Sequence, residues 1–158
     1  METTRHFTAT TYIVHDGATA LHHHDRLGIQ LPPGGHVDRD ELPHETAIRE
    51  TLEETGLEPT LASPTTAVTG PNSRGIPEPN HLMLHDINTH PDGSVGHQHI
   101  DHLYYASVSS RQIDPGPGEA PSDSWDWHTP EELRNAGSLS QDVVALGLEA
   151  IKHIESAD

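Results

Sequence analysis

The chain has 158 residues, enough for one domain with a real core. It contains no cysteine, which excludes disulfides and thiolate zinc sites, and its 25 acidic against 8 basic residues give a formal charge of −17. That balance excludes nucleic-acid or anionic-membrane binding through a basic patch; no apolar run approaches membrane-spanning length and Met1–Arg5 does not lead into a signal peptide, so a single cytoplasmic domain is expected.

Phe7–His15 is β-branched and aromatic with partial alternation, which predicts a strand. Asp16-Gly17 signals a hairpin turn, and Ala18–His24 returns as a second strand. Arg26–Leu31 is a short strand running into Pro32-Pro33-Gly34-Gly35, a tight turn. A helix is predicted over about 43–55, opened by Pro43, with Asp40 and Glu41 near its positive end, and stopped by Gly56. Leu61–Thr69 can form a strand broken by Pro64, and 70–79 is a Pro-rich loop. His81–Ile87 and Ile100–Val108 look like strands, separated from the chain's end by a Pro- and Gly-rich loop over 111–124. Thr129-Pro130-Glu131-Glu132 is a capping box for a short helix that Gly137 ends. Ser138 with Gln141 repeats the signal before a last helix carrying Val144, Leu148, Ile151 and Ile154 as an apolar stripe. Strands interrupted by one central and two terminal helices predict an α/β fold, a mixed sheet with helices on its faces.

The chemistry concentrates in the central helix. Glu50, Glu53 and Glu54 recur at spacings of three and four, so they share one helix face, with Ile48 and Leu52 expected as the apolar back that docks it. A solvated acidic face is one reading, but the glycine turn ahead of the helix and Arg49 beside the cluster favour another. Clustered carboxylates suit a hard divalent cation such as Mg²⁺, held together with water and a substrate phosphate.

The whole of residues 35–57 resembles the signature of the Nudix hydrolases: Gly35, five residues, Glu41, seven residues, then Arg49-Glu50, Glu53-Glu54, Gly56 and Leu57. Thr51 stands where that pattern has a hydrophobic residue, a packing position for which its β-branched shape serves. Trp127–Leu133 is similar to the family's late strand-to-helix segment. The resemblance implies a Nudix-type α/β/α sandwich with a central mixed β-sheet. It implies a Mg²⁺-dependent hydrolase, with Mn²⁺ able to substitute, that cleaves a diphosphate linkage in a nucleotide-type small molecule. The metal ligands it implies are Glu50, Glu53, Glu54 and the Gly35 carbonyl. The catalytic set is Glu53, Glu54, Arg49 and Glu41, with Arg49 orienting the glutamates and Glu41 tying loop to helix. A further carboxylate on the loop before the last strand often serves as base in the family, and Glu119 and Asp123 stand there. Two alternatives share the box: an isopentenyl-diphosphate isomerase, which needs a cysteine this chain lacks, and a non-catalytic nucleotide-sensing domain, which usually loses box glutamates. A homodimer is common for the fold.

His97, His99 and Asp101 fall on one face of a strand. Two imidazoles and a carboxylate could hold a transition metal or touch phosphate; a polar strand end in a chain of 15 histidines is the simpler reading. His36 beside the glycine turn is a candidate for substrate contact. Tyr12, Tyr104, Tyr105 and Trp125 could stack on a base, although so few aromatics are expected in the core.

Lys152 is the only lysine. This acid-rich, lysine-poor composition resembles that of proteins from salt-accumulating halophiles. Self-repulsion at −17 is relieved as the Debye length shrinks, to about 3 Å at molar salt. The melting temperature should therefore rise steadily with added KCl; full stability in dilute buffer would overturn the halophilic reading.

Overall fold

A computed structural model describes residues 2–24 and 28–157. Its strands are β1 (Thr4–His15), β2 (Ala18–His24), β3 (Ile29–Leu31), β4 (Gly34–His36), β5 (Thr60–Leu61), β6 (His81–Thr89), β7 (Val95–Ser107) and β8 (Trp125–His128), and its α-helices are α1 (Pro43–Thr55), α2 (Pro130–Asn135) and α3 (Gln141–Glu155). The strands form one eight-stranded mixed sheet. β1 is its spine, pairing in parallel with β7 from Thr4↔His97 to Val14↔Ser107 and antiparallel with β2 and β4. β6 runs antiparallel to the outer side of β7. Asp16 and Gly17 both take positive φ, 50° and 76°, the turn geometry that matches the twist of the β1–β2 hairpin.

Alternation divides the sheet into two faces. On one, Ala9 packs with Ala47 of α1 and Tyr104, and Ile13 with Ala20, Leu57, Val108 and Trp125. On the other, Tyr12, Val14, Leu21, Leu103 and Tyr105 meet Leu133 of α2 and Val143, Leu146, Ala150 and Ile151 of α3. Helices on both faces make the expected α/β/α sandwich, and all four aromatic candidates for base stacking are buried in its core. No helix among the described residues is long and apolar enough to cross a membrane.

Several local expectations need correction. The buried face of α1 is Thr46, Ala47, Thr51 and Thr55, not Ile48 and Leu52; Leu52 is exposed. The hydroxyls of Thr51 and Thr55 donate to the carbonyls of Ala47 and Thr51 (2.8 and 2.6 Å), so they enter the core already satisfied. Gly34-Gly35-His36 is not a turn but strand β4, paired to Thr8–Thr10. The strand expected over 61–69 is only Thr60–Leu61, because the chain leaves the sheet before Pro64. Ser140, not Ser138, occupies the N-cap of α3, and α2 ends at Asn135, before Gly137. Of the strand expected from Arg26 to Leu31, residues 26–27 lie outside the described residues and Ile29–Leu31 is β3.

α3 is pinned to the sheet by Glu149, whose Oε2 accepts from Tyr105 Oη and lies against His81 Nε2, both at 2.8 Å. The Tyr105 hydrogen bond, aided by His81, holds the Glu149 carboxyl below its ordinary 4.5. A depressed carboxyl contributes stability above its unfolded value and loses it as pH falls through the folded one. Wild type should therefore melt progressively lower as pH drops below about 4.5, and Glu149→Gln should flatten that part of the Tm–pH curve. An unchanged acid limb in the variant would remove Glu149 from the account.

Candidate functional site

The site forms where α1 lies against β4. Glu45 accepts the Leu42 N–H at 2.8 Å at the start of α1. At its end Gly56, at φ 72°, donates to the Leu52 carbonyl. The following loop is laced onto this end, with Asp114 N–H donating to the Thr55 carbonyl and Gly116 N–H to that of Glu53, each at 2.8 Å. Thr11 and Ala9 of β1 face the helix through Ala47, so small side chains let α1 sit close to the sheet.

Among the described residues β4 is paired on one edge only, to β1. From it the Gly34 N–H reaches out to Glu54 Oε2 at 2.8 Å. A Cβ on Gly35 would overlap the Glu50 carboxylate, so glycine here makes room for a helix side chain rather than for a turn. Burial pushes the Glu54 carboxyl up to about 8, the Gly34 N–H opposing and the charges of Glu50, Glu119 and Glu53 adding to the rise. Burial likewise raises Glu50, with Arg49 opposing and Glu53 and Glu119 adding repulsion. Both shifts favour the protonated form, as expected for carboxylates crowded together out of water.

Arg49 organises the acids around it. Its Nε donates to Glu41 Oε2 at 2.6 Å and its Nη2 to Glu41 Oε1 at 3.0 Å, a two-pronged pair. Its Nη1 reaches Glu50 Oε1 and Glu53 Oε2, both at 3.2 Å, and Nη2 lies 3.5 Å from Asp38. Glu41 also accepts from the Thr46 hydroxyl at 2.8 Å, and the Arg49 hydrogen bonds hold its carboxyl down at about 2. The bond to Glu41 in turn raises Arg49, which stays charged. Glu41 therefore joins the 37–42 loop to α1 and is held in its ionised form, while burial pushes Glu54 the other way.

Of the two loop acids, Glu119 is exposed in the turn begun at Gly116 and its charge is felt at both Glu50 and Glu54. Asp123 is exposed in the one-turn 3-10 helix Ser122–Ser124 and makes no hydrogen bond to the α1 glutamates among the described residues.

The His97, His99 and Asp101 set lies on the sheet face opposite α1, and it divides. Asp101 is buried and fully engaged: Oδ1 accepts from the Thr8 and Thr10 hydroxyls, both at 2.9 Å, and Oδ2 from His85 Nε2 at 3.2 Å. His97 and His99 instead join His6 and His36. Burial, then the nearby His36, His97 and His6, keeps His99 below its ordinary value. Strand alternation aligns His6 with Thr8 and Thr10, but the meeting of His6 with His99 depends on the parallel β1–β7 register, which no local pattern in the sequence encodes.

The Gly35 contact gives a direct test. In Gly35→Ala the new methyl meets the far end of Glu50, which can swing away, so the fold should survive with Tm within about 4 °C. Displacing Glu50 should weaken binding of a divalent cation by about tenfold or more, read by calorimetric titration; unchanged affinity would show that Glu50 is not a ligand.

A NUDIX domain model matches residues 12–146. Among solved structures, a NUDIX-family hydrolase from Clostridium perfringens is 33% identical, superposes with a TM-score of 0.80, and is matched over 95% of this chain and 98% of its own. A NUDIX hydrolase from Nitrosomonas europaea is 17% identical with TM-score 0.56, over 97% of this chain and 90% of its own. A UDP-X diphosphatase is 15% identical with TM-score 0.56, over 99% of this chain and 66% of its own. No curated protein sequence matches. With the box carboxylates gathered on α1 and the domain model spanning most of its length, the chain belongs to the Nudix family and is a hydrolase of acid anhydrides.

Proposed function

We propose that this Nudix hydrolase cleaves a diphosphate linkage in a nucleoside diphosphate derivative, a nucleoside triphosphate or nucleotide sugar, with Mg²⁺ as its cofactor and Mn²⁺ as a substitute. The observation that carries the proposal is the crowding of Glu50, Glu53 and Glu54 on one face of α1, with Glu50 and Glu54 driven towards their protonated forms by burial and mutual repulsion. Such a set of oxygen donors fits a hard divalent cation, and Nudix hydrolases generally use divalent metals. The residues that would hold it are Glu50, Glu53, Glu54 and the Gly35 carbonyl. Bound there, a divalent cation supplies neutralisation of the phosphoryl oxygens and a more acidic water.

The chain's own residues do the rest. Arg49, locked to Glu41, positions Glu50 and Glu53, and among the described residues its N–H donors all face protein acceptors, the last being the His36 carbonyl. The Gly34 N–H fixes the rotamer of Glu54. Glu119, close enough to bias both buried glutamates, is assigned the proton of the attacking water, and Asp123 is not. The loops over 70–79 and 109–124 are assigned the choice of nucleotide. Because a structural neighbour is a UDP-X diphosphatase, nucleotide sugars stand beside nucleoside triphosphates as candidate substrates.

The test is release of phosphate or pyrophosphate from a nucleotide panel, with and without Mg²⁺, at low and high salt. Turnover should require the metal and should fall at least roughly 100-fold in Glu53→Gln and Glu54→Gln while both variants stay folded. Glu119→Gln should lower kcat with little change in KM, and Asp123→Asn should leave both unchanged. No turnover on any nucleotide, from protein that is folded and metal-loaded, would overturn the proposal in favour of a nucleotide-sensing domain.

A further inference from the structure

On the face of the sheet opposite α1, four adjacent strands in the order β6, β7, β1, β4 carry a row of histidines. His85 is in register with His99, and His99 with His6. His36 is in register with Thr8, two residues along β1 from His6. Nitrogen atoms of His6, His36 and His99 all lie within 4.8 Å of one another. Their ring centroids are 5.3 Å apart for His6–His36, 4.9 Å for His36–His99 and 6.4 Å for His6–His99.

We propose that His6, His36 and His99 form a second metal site, separate from the α1 carboxylates, that takes a borderline transition-metal dication of the Zn²⁺ class. The donor chemistry selects the metal. Three imidazoles without a free carboxylate are poor ligands for Mg²⁺ or Ca²⁺ and good ones for Zn²⁺, Ni²⁺ or Cu²⁺. Asp101, two residues along β7 from His99, has both oxygens engaged by Thr8, Thr10 and His85, so it braces the end of the row rather than joining it. Zn–N bonds of 2.0–2.1 Å in a tetrahedron require nitrogens about 3.4 Å apart. His6 and His36 are exposed, so side-chain rotation can close the remaining gap and solvent gives the ion its path in.

The backbone already presents the ligands. Each sits on a different strand and the strands are hydrogen-bonded to one another, so the site is templated by the sheet rather than by a loop. His97, 4.6 Å from His6 and 5.2 Å from His99, is anchored by Thr4 Oγ1 at 2.7 Å from its Nδ1 and packs the flank of the cluster. Three protein ligands leave a fourth position for water or an exogenous donor. An ion there would tie β4, which pairs with β1, to both β1 and β7.

The test is equilibrium dialysis of the full chain against Zn²⁺ in excess Mg²⁺, with the visible spectrum of the Co²⁺ form reporting nitrogen ligation. One Zn²⁺ per chain should be retained, and affinity should fall about tenfold or more in each of His6→Gln, His36→Gln and His99→Gln. Glu54→Gln, which disables the α1 cluster, and His23→Gln, a histidine paired with Asp126 on another part of the surface, should both keep the ion and the spectrum. Zn²⁺ should also raise the Tm of wild type and not that of His6→Gln, whose exposed side chain can change without loss of packing. Retention unaffected by the three histidine variants, loss in Glu54→Gln, or no retention at all would each overturn the site. None of these outcomes turns on hydrolysis, so the two assignments fail independently.

Discussion

At Gly34 and Gly35 strand β4 comes so near to α1 that a Cβ on Gly35 would overlap Glu50, while the Gly34 N–H meets Glu54 at 2.8 Å. This close approach half-buries two carboxylates that repel each other, and nothing in the apolar core compensates them. Their environment pushes Glu54 up to about 8, a conflict between stability and charge of the kind functional sites keep. The fold carries it because its stability lies elsewhere, in the cluster on the far face built from Tyr12, Leu21, Leu103, Leu133 and the α3 stripe.

The same patch contains the opposite solution. Glu41 meets the fork of Arg49 at 2.6 and 3.0 Å and accepts from Thr46, and its carboxyl falls to about 2. Two carboxylates of one helix-and-loop patch are therefore pushed in opposite directions: the Arg49 fork holds Glu41 in its ionised form, while burial, opposed by the Gly34 N–H alone, favours the protonated form of Glu54. Environment, not residue type, separates the acid that ties the loop to the helix from the acid whose charge is destabilised by burial. The two hydrogen bonds to Glu41 make Arg49 a fixed strut whose remaining donors face Glu50 and Glu53.

The box was legible because its signal is local: glycine, acid and arginine spacings over residues 35–57 are held by one helix and its flanks. The hairpin at Asp16-Gly17, the span of α1 and the capping box at Thr129 were legible for the same reason. Periodicity misjudged the docking face of α1, because the buried positions are Thr46, Thr51 and Thr55, polar residues whose hydroxyls bond within the helix or its loop, and hydrophobicity is blind to them. β4 read as a turn because three residues with two glycines carry no alternation; only its pairing with β1 makes it a strand. The histidine row was half visible, since His97 and His99 share a strand. His6 and His36 reach it through registers set by hydrogen bonds between strands distant in sequence.

β4 gives these observations a common frame. Successive side chains of a strand point to opposite faces, so the backbone that turns Gly35 towards Glu50 must turn His36 away from it. The residue facing α1 has to be small, because carboxylates crowd there; the residue behind it is free to be a ligand of another kind. Oxygen donors gather on the helix side and imidazoles on the other, a partition by hardness under which the two proposed sites would not compete for one set of ligands. The two sets share no side chain but they share a strand of three residues, whose outer N–H holds Glu54. Whatever steadies His36 against β1 and β7 also steadies Gly34 against α1, so the mechanical link between the faces follows from the pleat itself and needs no long-range pathway.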